Sequence, residues 1–296
     1  MTRFIIGIFP MLMIGQVLIT DLVDRTDLDG TLRKYMVDEM DPYTGEIHFF
    51  YGNGVKEFDG SLYEGLQDDR WIWWHPNGQK QKKGYFKHAF QDSLWQWWYP
   101  NGQLKQKGHF VDGRKDGSWK LWHENGVISS VEPYENDLLD GKLLLWFENG
   151  KMEGEAVYRN GIKNGIDRGW YDTGEPKWAF RWKGGKEHGP QIEWSEKGLK
   201  LYEHNFVNGV AHGKFTEYFH SGQKRLSGIF RSGMQEGEWT WWYSDGENAL
   251  SGSYTKGVPT GTWVWVMLER QDLLMKDDPE LSWVQNRIRE WLNVSQ

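Results

Sequence analysis

A glycine returns every 24 residues along this chain. Gly54, Gly78, Gly102, Gly126, Gly150, Gly174, Gly198, Gly222 and Gly246 stand in one phase without insertion or deletion, and Gly30 extends it backwards. A period this strict marks a repeat architecture, because each unit must fold as its neighbours do. Four residues before each glycine is an aromatic: Phe50, Trp74, Trp98, Trp122, Trp146, Trp170, Trp194, Tyr218 and Trp242. Eight residues after it is a large apolar residue, from Leu62, Phe86 and Phe110 through to Tyr254. Two further glycine columns run in the same phase. One contains Gly65, Gly113 and Gly161 and lapses at Ala89 and Asp137; the other contains Gly117, Gly141 and Gly165 and lapses at Asp69 and Ser93.

The pattern predicts two strands per repeat. Trp71–His75 is aromatic and β-prone. Pro76-Asn77-Gly78 reads as a turn in which Asn and Gly both take φ > 0, and Lys80–Phe86 reads as the return strand. The expected fold is all-β: an elongated array of β-hairpins in one long, twisted antiparallel sheet. Equivalent residues lie two strands apart, so nine repeats would reach roughly 80–90 Å. Composition agrees. The chain has 20 Trp, 14 Phe, 13 Tyr and 36 Gly but only 38% hydrophobic residues, which favours short strands and tight turns over helical bundles.

The resulting division is 1–20 as a signal peptide or N-terminal anchor, 21–46 as a lead-in module, 47–268 as nine repeats and 269–296 as a helical cap. Arg3 precedes the apolar run Phe4–Thr20, which is broken by Gly7, Pro10, Gly15 and Gln16. A spanning helix needs about 20 apolar residues, so the run fits an export signal better, with Gly15 as the last residue removed. At the other end Asp278-Pro279-Glu280 reads as a helix start. Leu281, Val284, Ile288, Trp291 and Leu292 form one apolar stripe, suited to covering an open sheet edge.

The core Trp95–Trp98 through Gly102, the step Gly108–Phe110 and the restart Asp116-Gly117-Ser118-Trp119 resemble the bacterial MORN-variant repeats found in YwqK-family antitoxins. Met40–Gly54 is similar to the module that precedes such arrays. The resemblance covers roughly residues 30–268. It implies a β-hairpin array with a binding or scaffolding role, and the family label implies antitoxin activity.

No catalytic, cofactor-binding or metal-binding residues are expected. The chain has no Cys, which excludes disulfides and thiolate chemistry. His188 and His212 share a column, but that places them roughly 9–10 Å apart by strand spacing. Zinc ligands sit about 2 Å from their metal. No Gly-x-Ser-x-Gly, H-E-x-x-H or P-loop pattern occurs. A net charge of −7 argues against a nucleic-acid partner. The lysines Lys80, Lys82, Lys83, Lys105 and Lys107 form one local basic cluster, suited to an anionic partner or to protecting a strand face.

Strand alternation puts Trp71 and Trp73 on one face and Trp74 on the other. The column of Trp74, Trp98, Trp122 and Trp146 never lapses, so it is expected to build the structural ladder together with the turn glycines Gly78, Gly102, Gly126 and Gly150. The column of Trp73, Trp97 and Trp241 lapses to Leu121, Leu145, Gly169, Glu193 and Glu217. Trp73, Trp97 and Trp241, with Tyr99, are therefore expected to form an exposed binding patch. The leading expectation is a non-enzymatic, protein-binding scaffold in the bacterial envelope or outside the cell, cytoplasmic if the N-terminal run is not a signal. A glycan or membrane surface is a further expected partner. The alternatives are carbohydrate or cell-wall binding through exposed Trp, and an antitoxin for an unidentified toxin.

Overall fold

A computed structural model describes residues 17–265. They form 24 strands and one 3-10 turn, Ile19–Asp21, with no α-helix among the described residues. The expected C-terminal helix lies outside the described residues. The chain divides into two compact units, residues 1–200 with 205–210, and residues 201–204 with 211–296. In each unit successive strands pair antiparallel, as a hairpin array requires.

Each repeat contributes a tryptophan strand and a return strand, such as Leu66–Trp74 and Lys80–Lys87. Two kinds of turn alternate between them. At the first, the Gly78 N–H donates to the His75 carbonyl at 2.8 Å and the His75 N–H donates to the Gln79 carbonyl at 2.7 Å. Gly78 takes φ 84°, whereas Asn77 is not in the left-handed region. This corrects the expectation that both residues adopt φ > 0. The loop has three residues, and only its last must be left-handed. Asn77 has different work. Its Oδ1 accepts from the Gln79 N–H at 3.1 Å, closing an Asx turn, and its Nδ2 donates to the Pro100 carbonyl of the next loop at 2.7 Å.

That second bond recurs. Asn53, Asn101, Asn125 and Asn149 each donate to a carbonyl 23 residues on. The column three residues before the glycine adds a second link. The hydroxyls of Tyr51, Tyr99 and Tyr171 donate to the carbonyls of Trp74, Trp122 and Trp194, each at 2.8 Å. His75 and His123 do the same through Nε2. Successive loops are thereby tied to one another along one margin of the sheet. Asn101→Ala removes both the Asx bond and the inter-loop bond at an exposed site. It is expected to lower stability by about 1 kcal/mol in urea unfolding.

The second turn has two residues and carries the second glycine column. Lys87 pairs with Phe90 across it, and His88 (φ 49°) and Ala89 (φ 67°) are both left-handed. Two positive φ values define a type I′ turn, whose twist matches that of the strands it joins. Ala89 pays the steric cost that the column otherwise avoids with glycine. Ala89→Gly should therefore raise stability by about 0.5–1 kcal/mol, read as a higher urea midpoint. The third glycine column is a bulge. Gly117 has φ 76°, and Asp69 and Ser93 adopt φ 59° and 60° where glycine lapses. Pairing against the preceding strand jumps there from Asp116↔His109 to Lys120↔Lys107.

The core of the first unit is built from indoles lying on glycines. Trp71, Trp95 and Trp119 are 4%, 1% and 0% exposed. Trp95 covers Gly84, so closely that a Cβ there would sit 2.1 Å from its Cδ2, and Trp119 covers Gly108 in the same way. Each Nε1–H donates to a carbonyl ten residues earlier: Trp71 to Ser61, Trp95 to Tyr85 and Trp119 to His109, at 3.0–3.1 Å. The ladder therefore runs through Trp71, Trp95 and Trp119, which corrects its expected position. Trp74, Trp98, Trp122 and Trp146 are half-buried on the other face. In the second unit Trp239 sits on Gly228 and Trp263 on Gly252.

The N-terminal module closes the first end of the ladder. The hairpin Leu22–Thr26 and Leu32–Met36 forms its own small sheet. Leu22 packs with Ile47, Leu62 and Trp71. Val17–Leu18 pairs parallel with Gly45–Phe50, and Ile19 joins the same core.

Candidate functional site

The region from Arg70 to Trp122 has two different faces. On the first, Trp73 and Trp97 fill the spaces between the buried indoles. Ring centroids are 5.4 Å apart for Trp71–Trp73, 5.9 Å for Trp73–Trp95 and 5.7 Å for both Trp95–Trp97 and Trp97–Trp119. Phe86 and Phe110 present their edges to the stack. Lys82 lies 4.1 Å above Trp73, where burial lowers its ammonium pKa.

None of the four residues expected to form an exposed patch is exposed. Trp73 and Trp97 are half-buried members of the stack. Trp241, in the second unit, is 8% exposed and belongs to the core with Trp239 and Leu250. Tyr99, next to Trp98 at the end of its strand, faces Lys105 at 5.4 Å. Its hydroxyl is already committed to the Trp122 carbonyl.

The opposite face carries a basic row. Strand register aligns Ile72, Lys83, Gln96, Lys107 and Lys120 as successive cross-strand partners. Lys107 and Lys120 therefore stand directly opposite each other. Around the row, Lys56 lies 5.4 Å from Trp74, Lys80 5.9 Å from Trp98 and Lys107 5.6 Å from Trp122. Of the five lysines read as one cluster, Lys82 is on the other face and Lys105 is the extra residue of a bulge, while Lys120 joins the row. Sequence reasoning missed Lys120, although the 24-residue phase sets it in the column of Ile72 and Gln96.

Further along, the ladder turns polar. The glycine that floors each indole is replaced by Glu132, Ala156, Phe180 and His204. The Trp position eleven residues later is in those repeats Leu143, Asp167, Gln191 and Phe215. Wherever the floor is filled, the indole is absent. The buried Asp167 pairs with Lys163 and accepts from Trp178 Nε1 at 2.9 Å. Gln191 Nε2 donates to the Arg181 carbonyl, a bond that Trp makes elsewhere. Tyr134 donates to Glu132 at 2.9 Å, and burial together with that bond pushes its phenol up to about 12. In the second unit His204 stacks on Phe215 at 3.5 Å, with Nε2 3.5 Å from Glu217. That hydrogen bond, with Arg225 beside it, holds the Glu217 carboxyl below its usual range. Among the described residues, no group of three His, Asp or Glu is placed to hold a metal ion.

Residues 70–88, 91–112, 115–136 and 139–160 match the family model of the MORN repeat variant. Each matched segment spans one tryptophan strand, its three-residue loop and the return strand. No curated protein matches the chain. Four consecutive repeats of this kind support a repeat-based binding scaffold.

Proposed function

We propose that this array of MORN-variant repeats is a non-enzymatic, protein-binding scaffold that acts outside the cytoplasm. The observation that carries the reading is how the aromatic side chains are used. The indoles that recur in phase are stacked on glycines, and those of Trp71, Trp95 and Trp119 also commit their N–H groups to carbonyls. Bonds across 23 residues tie each loop to the next. Such a framework holds side chains in fixed rows across a sheet face, which suits recognition of another surface. Stacking of sugars on Trp is disfavoured, since Trp241 is buried and Trp73 and Trp97 pack within the ladder.

Affinity capture from the native host with the full chain, followed by mass spectrometry, tests the scaffold. A specific protein should be enriched over a scrambled-surface control, and failure to enrich any would overturn the reading. Location is tested by sequencing the N-terminus of the mature protein. Export predicts a start at Gln16, after removal of residues 1–15, whereas a soluble cytosolic form starting at Met1 would end that part of the reading.

A further inference from the structure

We infer that the basic row through Lys83, Lys107 and Lys120 is a docking surface for a short acidic segment of a partner protein. The inference rests on the scaffold reading and names its binding face. Residues 70–120 hold ten Lys and Arg against three Asp and Glu, a local net charge of +7 in a chain of −7. Alternation and register put Arg70, Lys80, Lys83, Lys107 and Lys120 on one face. Among the described residues, none of the five is in an ion pair with a carboxylate. Lys107 and Lys120 are direct cross-strand partners. Like charges so placed destabilise a sheet, and solubility does not require them in a chain otherwise rich in carboxylates. An incoming anion removes that penalty.

The row also limits the size of its ligand. Following the register outwards, Lys83 gives way to Ile72 and then Asp59, which is paired with Lys56. In the other direction Lys120 gives way to Val131, Leu144 and then Glu155, which is paired with Lys142. The basic stretch covers five strands, about 20 Å at ordinary strand spacing. It is bounded by apolar residues and then by carboxylates. A duplex or an anionic membrane would extend past it, onto surface where the cations are already paired with carboxylates. A short segment with a few Glu or Asp flanked by apolar residues fits within it.

The test uses the full-length protein and a labelled, alternating Glu-Ala peptide as probe, followed by fluorescence anisotropy. An equally charged single-stranded oligonucleotide and phosphatidylcholine vesicles doped with phosphatidylserine are run alongside. The peptide should bind, weaken as salt rises, and bind at least about tenfold more weakly to the Lys83→Glu/Lys120→Glu variant. Lys197→Glu, an exposed turn substitution, should leave binding unchanged. Lys120→Glu sets opposite charges across from Lys107 and relieves the opposition, so the variant should melt no lower than wild type. No peptide binding, equal binding by the variant, an equal loss with Lys197→Glu, or tighter binding of oligonucleotide or vesicles would each overturn the inference. A native partner that the double variant captures as well as wild type does would overturn it too, leaving the scaffold intact. Absence of any native partner would instead overturn the scaffold.

Discussion

Trp119→Ala is expected to lower the stability of the first unit by about 3–5 kcal/mol, as large core truncations do. Trp119 is 0% exposed, touches Trp97, Phe110 and Tyr134, and donates to the His109 carbonyl at 3.1 Å. Its removal opens a cavity in the ladder and strands a carbonyl it had satisfied. Trp98→Ala is the comparison. Trp98 is half-buried on the other face, with Lys80 beside its ring, so it should lose less than half as much. Urea unfolding monitored by circular dichroism measures both. Equal losses would show that the ladder does not run through Trp119.

Gly108→Ala comes second, at about 3 kcal/mol, from overpacking together with a lost hydrogen bond. A Cβ at 108 would lie 2.1 Å from Trp119 Cδ2 and 2.3 Å from Cε2. The indole cannot slide away, because its Nε1–H is held by the His109 carbonyl. A rescue makes this prediction specific. Repeats with a filled floor place a smaller residue above it, as Glu132 does with Leu143 and Ala156 with Asp167. Gly108→Ala combined with Trp119→Leu should therefore lose less than the sum of the single losses, by about 1 kcal/mol or more. Strict additivity would mean that glycine and indole are independent.

Two strands per repeat, the antiparallel hairpin order and the positions of the turn glycines were legible in the glycine phase, because turn chemistry leaves few choices at each repeat; the conformation of Asn77 was not. Alternation correctly separated Trp71 and Trp73 from Trp74. The choice of ladder column failed for a physical reason. Constancy of the Trp74 column was read as core, yet this column is half-buried and flanked by lysines. The most buried column lapses to Asp167 and Gln191, because its residue depends on the floor eleven positions earlier. That dependence was present in the sequence as the joint loss of glycine and tryptophan. The basic row was only partly legible. Lys83 and Lys107 share one column of the repeat and Lys120 shares the next with Ile72 and Gln96, but which columns face each other across neighbouring strands is set by the register.

The pairing of floor and indole crosses the boundary between repeats, since Gly84 belongs to one and Trp95 to the next. A repeat is therefore not a freely interchangeable brick. It passes to its successor either an empty seat or an occupied one, and the successor must bring a matching occupant. Duplication of a single repeat preserves this match only when donor and recipient are of the same kind. Transplanting a polar repeat from the middle of the chain into the tryptophan-rich stretch would produce one clash or one void at each seam. Recombination among the repeats is thus governed by a grammar of neighbours, and lineages of this chain should grow or shrink in runs of like repeats.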